Sequence, residues 1–330
     1  MLLGLLLALA ASALFNVAVA VQALDARTLP RELSLKFGLL RQLVRRRRWR
    51  LGMLLALIGW PLHAAALGLA PLTAVQPALA AGLLILLFVA SRNLGEAVTS
   101  REVLAVLLIV AGEAGVAWAA PDRSGTHAHG LALVAVLVGL GAIALFPYAF
   151  RHRPGASGMA AVMSAGVAFA LTGFVTKLVS DDLGSGAVFS AWLWADLVAV
   201  AAVIGVLSEN TAFQTRPASQ VAPLVFSAQT VLPVLLAPVV GGENWGNTPL
   251  GGAAVLIALG AVVAGVVLIA RSQAVGSLIA RHATELGELV VEPEEDWERA
   301  RAHDEGGRPH RQIQMRDADR AREGAGDGGP

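Results

Sequence analysis

The chain has no cysteine, one tyrosine, and only 15% charged and 5% aromatic residues over 330 positions. Without cysteine there is neither a disulfide framework nor a thiolate metal site. So little charge, set against 56% apolar residues and a mean hydropathy of +0.65, excludes a soluble, fibrous or disordered body. There is also no GxxxxGK[S/T] phosphate loop and no zinc-type ligand spacing, so ATP-driven pumping by this chain alone has no seat. What the chain does have is long apolar runs. They are continuous rather than alternating, which reads as membrane helices and not as the strands of a barrel.

The net charge of +1 hides an uneven distribution. Of 49 charged side chains, 11 fall in Asp25 to Arg50 and 22 in Arg271 to Pro330. Between and around those segments, a window of about 19 residues picks out nine apolar stretches. They are Met1 to Leu24, Leu51 to Ala70, Ala74 to Ser91, Val103 to Ala120, Leu131 to Phe150, Ser157 to Val179, Val188 to Leu207, Val221 to Val240 and Leu250 to Ala270. The expected fold is therefore an all-α polytopic membrane protein of about nine spans. It divides into a first membrane half over 1–120 with a basic loop at 25–50, a connecting loop and fifth span over 121–150, a second half over 151–270, and a mostly disordered tail over 271–330.

Basic residues orient the spans, because short Lys/Arg-rich loops stay on the cytoplasmic side. With the 25–50 loop inside, its nine basic residues are joined there by Arg92, Arg101, Arg151, Arg153 and Arg216, while the outside loops hold only Arg123. The N-terminus is then outside and the tail cytoplasmic, in the plasma membrane. The first span ends in small residues near Ala18 and Ala20, as a signal peptide does. It lacks a positive n-region, however, and cleavage would strand Arg45-Arg-Arg-Arg48 on the wrong side, so it reads as a retained helix.

Self-comparison adds an internal repeat. Ala66 to Pro77 aligns without a gap on Ala212 to Pro223, matching Pro71 with Pro217, Pro77 with Pro223, Val75 with Val221 and Thr73 with Ser219. Gly95-Glu96 then answers Gly242-Glu243, and Leu107 to Gly112 answers Val255 to Gly260. By the charge rule the first proline turn lies outside and the second, with Arg216, inside. Spans 1 to 4 and 6 to 9 thus form an inverted pair, the plan on which many secondary transporters rock about a midplane site.

On these residues the chain resembles the drug/metabolite transporter superfamily, whose half-repeats carry a short-loop proline helix, a following Gly-Glu and a Gly-containing final helix. The resemblance covers about Leu51 to Ala120 and Val188 to Ala270. The Ala66 to Pro77 segment is most similar to a nine-helix branch that includes magnesium-transporter-like proteins. The family usually has ten helices, so the missing one belongs at the N-terminus. The resemblance implies transport of a small molecule or cation, with a magnesium-like ion as its most specific suggestion. It also implies a role for Lys177, which matches a lysine ending the first helix of many family repeats.

An ionisable group at mid-bilayer costs about 2.5 to 3.5 kcal/mol, so each one needs a reason. Asp196, following Trp192 and Trp194 in the seventh span, is either a substrate or cation contact or an interhelical hydrogen-bonding residue. Glu113, within Ala111-Gly-Glu-Ala-Gly115, either lines the pathway or pairs across a homodimer interface. His63, after Trp60-Pro61, can serve proton coupling or a structural hydrogen bond. Lys177 can equally snorkel beside Asp181 and Asp182. Asn16 and Gln22 are cavity-lining candidates or interhelical glue. Glu96 and Glu243 read as caps on the spans that follow them. Pro77, Pro223, Pro233 and Pro238 would bend symmetry-related helices. His127 and His129 are too few ligands for a metal centre.

No cofactor, nucleic acid or enzymatic chemistry is expected. The partners are the bilayer, an unidentified small molecule or cation and, as an open reading, a second copy. The functional expectation is a secondary transporter or permease, set against a non-transporting membrane scaffold whose tail binds a partner.

Overall fold

The computed structural model describes residues 2–70, 72–119, 131–150, 157–240 and 248–271. Pro71, His127, His129, Glu243 and the tail lie outside the described residues, as do the side chains of Pro77 and Lys177. The described helices all fall within one compact unit, Met1–Ser272.

The described residues are helical and contain no strand. In chain order the helices are α1 Leu2–Ala26, α2 Phe37–Arg45, α3 Arg47–Leu69, α4 Leu72–Asn93, α5 Ser100–Ala119, α6 Leu131–Ala149, α7 Ser157–Gly184, α8 Val188–Phe213, α9 Ala218–Val240 and α10 over residues 253–271. Short 3-10 turns at Arg31–Leu33 and Pro249–Gly252 precede α2 and α10. Among the described residues, seven helices are long and apolar enough to cross a membrane: α1, α5, α6, α7, α8, α9 and the Pro249–Arg271 segment that contains α10. The chain is thus a multi-pass α-helical membrane protein. α3 and α4 run for 23 and 22 residues.

Two elements depart from the sequence expectation. The basic loop is not open chain: residues 37–45 form α2, with Leu39 and Leu43 fully buried. Leu35, at φ 55°, makes the sharp turn into it. That left-handed backbone is costly for leucine; it is held by a side chain buried to 2% exposure and by its N–H donating to Thr211 Oγ1 at 3.0 Å. Second, α8 runs on past Leu207 to Phe213, drawing Ser208, Glu209, Asn210 and Thr211 into a helix where all four are buried.

In lipid, helices associate through close packing and hydrogen bonds, because the solvent is as apolar as the side chains. The packing here accordingly runs through small residues. α1 packs on α3 and α4, and α7 packs on α8 and α9. On α3, Gly59 lies under the Phe15 ring of α1, where a Cβ would fall 2.8 Å from Cε1. On α8, Gly205 lies under the Phe169 ring of α7, with a Cβ 2.7 Å from Cε1. The register that sets Pro77 on Pro223 also sets Gly59 on Gly205. α5 and α10 meet backbone to backbone: a Cβ at Gly112 would fall 2.7 Å from the Ala258 carbonyl oxygen, and one at Gly265 would fall 2.6 Å from that of Ala105.

The last turns of α1, α4, α6 and α8 and the first turns of α3, α5, α7 and α9 gather at one end of the bundle. Arg31, Lys36, Arg41, Arg45, Arg47, Arg48, Arg50, Arg92 and Arg101 are exposed on these turns and their connecting segments, so this is the basic end.

Candidate functional site

The basic end is closed by hydrogen bonds between segments far apart in sequence. Glu96, in the turn after α4, ion-pairs with Arg27 at the end of α1. Its two oxygens also accept the N–H groups of Ala218 at 2.8 Å and Ser219 at 2.9 Å, the first residues of α9. Burial works to raise the Glu96 pKa; the hydrogen bonds from Arg27, Ser219 and Ala218 outweigh it and hold the carboxyl below its usual range. Glu96 does cap a helix, but not the one that follows it. The carboxylate serves α9, while α5 is capped by its own Thr99 and Glu102, each side chain accepting the other's backbone N–H. Glu102 reaches α9 too, accepting from Gln220 Nε2 at 2.7 Å.

The segment between α1 and α3 is docked in the same way. Asp25 accepts the Trp49 N–H at 2.8 Å and so caps α3. The Trp49 indole donates to Asn210 Oδ1 at 3.1 Å, Ser34 donates to Gln214 Oε1 at 2.9 Å, and the Gln214 amide donates to the Pro30 carbonyl at 3.0 Å. Residues 30–102 and 210–220 are thereby joined at one end of the bundle by polar bonds.

Among the described residues, Glu113 and His63 within the bundle and Arg216 at the basic end have buried polar atoms without a hydrogen-bond partner. Glu113, only 1% exposed, sits between α5, α9 and α10, and neither of its oxygens makes a hydrogen bond. The Thr230 hydroxyl beside it is engaged by the Phe226 carbonyl at 3.1 Å. This burial within one chain leaves Glu113 no surface on which to meet a second copy. His63 on α3 is half-buried, edge-on to Phe15 with centroids 6.4 Å apart, and its Nε2 has no partner. Glu209 on α8 is buried and forms no hydrogen bond or ion pair with a described residue.

The other expected positions scatter. Asn16 is buried where α1 crosses α4, donating to the Ser12 carbonyl at 2.9 Å, while Ser12 donates to the Leu79 carbonyl at 2.6 Å. Gln22 is buried against Gly52 of α3. Pro217 ends the turn before α9, and its carbonyl accepts the Val221 N–H at 3.0 Å. Pro223 lies inside α9, and its carbonyl accepts the Ser227 hydroxyl at 2.7 Å. Asp196 faces outward on α8 in a stripe with Trp192, Leu193 and Val200, apart from Asn16, His63 and Glu113. Lys177 lies in α7. Among the described residues, no three His, Asp or Glu side chains come close enough to hold a metal ion.

Sequence reasoning missed Glu209 because the seventh span was ended at Leu207. It also missed Glu102, although Thr99-Ser-Arg-Glu102 ahead of an apolar run is the signature of a capping box. Comparison with protein-family models, with curated proteins and with solved structures finds no match to this chain.

Proposed function

We propose that the chain is a secondary transporter or permease of the drug/metabolite class. Nine spans, eight of them in two inverted halves, α1 with α3 to α5 and α7 with α8 to α10, and α6 connecting the two, carry a small molecule or cation by alternating access. The N-terminus faces outward and the tail lies in the cytoplasm. The observation that carries this reading is the recurrence of one packing element, with its glycine in the proline register: phenylalanine of one helix on glycine of the next long one, as Phe15 on Gly59 and Phe169 on Gly205. A passive anchor has no need to build the same helix pair twice. Alternating access needs two such bodies and a releasable contact between them.

The polar closure at the basic end supplies that contact. Its bonds at Glu96 and Glu102 are made to the first turn of α9 by caps and a short loop, and such bonds can be exchanged for water when the end opens. A dehydrated magnesium-like ion fits the described residues poorly, since such a site wants several oxygen ligands together. An organic molecule or a monovalent cation asks for fewer converging oxygens and suits such sparsely placed polar side chains better.

The test is a flux screen with purified protein in liposomes over amines, metabolites and cations, together with reporter fusions after Arg50 and after Pro121. Saturable flux that changes in Glu96→Gln supports transport. No flux for any solute, with specific capture of a partner by the tail, favours the scaffold. Both reporters on the same side would overturn the nine-span topology.

A further inference from the structure

His63 and Glu209 occupy the same position in the two halves. The register that matches Ala66 with Ala212 and Gly59 with Gly205 puts the imidazole of α3 on the carboxylate of α8. Each is one helical turn beyond the glycine that seats a phenylalanine ring, so each lies on the helix face turned toward the first helix of its own half. His63 is half-buried with its Nε2 enclosed and unpartnered, and Glu209 is buried with no hydrogen bond from a described residue to its carboxylate.

The other titratable groups around them are few: α8 itself carries the outward-facing Asp196, and Arg216, with a buried unpartnered Nε, lies in the turn after it. Of the helices packed on α8, α9 has no titratable residue; α6 has Tyr148, bonded to Ser208; α1 has Asp25, bonded to Trp49; and α2 has Arg41 and Arg45, which are exposed. α7 carries Lys177, Asp181 and Asp182 at its far end, and Arg46 to Arg50 lie at the start of α3 near Asn210. α3 itself packs on α1, α2 and α4, whose titratable groups, Asp25, Arg41, Arg45 and Arg92, belong to the basic end, whereas His63 lies toward the other.

We infer that Glu209 and His63 are a symmetry-related pair of proton-accepting sites, one serving each half of the transport cycle. This rests on the inverted-repeat reading above. Glu209, next to Asn210 and the Trp49 contact, exchanges its proton when the basic end opens. His63 does so when the opposite end opens. Each step moves one proton between water and one side-chain atom, a carboxylate oxygen or Nε2, and no other bond changes. Because one rocking motion exposes one site and closes the other, the two protonations are linked, and linkage is reciprocal.

The test uses the full chain in lipid vesicles. An infrared pH-difference spectrum should contain a carboxyl band that is lost in Glu209→Gln, displaced in Glu209→Asp and retained in Glu113→Gln. The His63 imidazole, identified in ¹⁵N-histidine spectra by its loss in His63→Gln, should titrate, and Glu209→Gln should move its proton affinity by about fivefold or more. A Glu209 that shows no carboxyl band, or a His63 titration indifferent to residue 209, overturns the proposal. The repeat reading has its own check, since the chain has no native cysteine. Arg48→Cys and Ser185→Cys should react with an impermeant maleimide from opposite sides of the membrane. Reaction from the same side removes the inverted pair itself, whatever the spectra show.

Discussion

Replacing Glu96 by alanine should loosen the basic end more than any other single change there. The carboxylate loses an ion pair with Arg27 and two backbone N–H bonds at the start of α9. A lost helix cap costs about 1 kcal/mol, and a hydrogen bond to a charged group contributes about 1.5 to 3 kcal/mol. The Arg27 side chain is 26% exposed, which discounts its share. The expected total is about 2 to 4 kcal/mol, with Glu96→Gln losing roughly half because it keeps one acceptor. Reversible unfolding in mixed micelles measures this, and a cycle with Arg27→Ala isolates the pair. The pH dependence follows from the direction of the shift. A carboxyl held below its ordinary 4.5 stabilises the fold above that value and loses the contribution as pH falls through its lowered folded-state pKa. Wild type should therefore destabilise below about pH 4.5 more steeply than Glu96→Gln. A loss under about 0.5 kcal/mol, or identical acid limbs for the two proteins, would refute this role of Glu96.

Gly112→Leu should be destabilising by about 1 to 3 kcal/mol, because its Cβ would meet α10 backbone; Gly139→Leu, with open space at that position, should be neutral in the same unfolding assay. Thr99→Ala removes the α5 cap and should cost about 1 kcal/mol, read from faster amide exchange over 100–103. Trp49→Phe keeps the buried ring but drops the bond to Asn210, so unfolding should cost about 1 kcal/mol less, and Asn210→Ala should add little on top of it. Asp196→Asn, on the outward face of α8, should leave monomer stability within about 0.5 kcal/mol. A larger loss would show that its carboxylate is paired in the membrane.

Fold class was legible from composition and continuous apolar runs, since a backbone in lipid must satisfy its own hydrogen bonds and helices do so locally. The helix positions followed, as did the closeness permitted by Gly112 and Gly115. The proline register is also read from sequence alone, and extended by the same offset it sets Gly59 on Gly205 and His63 on Glu209. What sequence could not supply was the direction in which each side chain faces and the partner it finds. Asp196 and Glu113 are both carboxylates in apolar runs, yet one faces out and the other is enclosed by α5, α9 and α10. Glu96 looked like a cap for its neighbour and instead holds the start of α9, 122 residues on. The basic loop looked like an orienting charge cluster and is also a folded strap whose Leu39, Leu43 and Trp49 are buried. Local periodicity determines that a segment is helical. Which face of it is covered depends on helices elsewhere in the chain, and only the tertiary structure decides that.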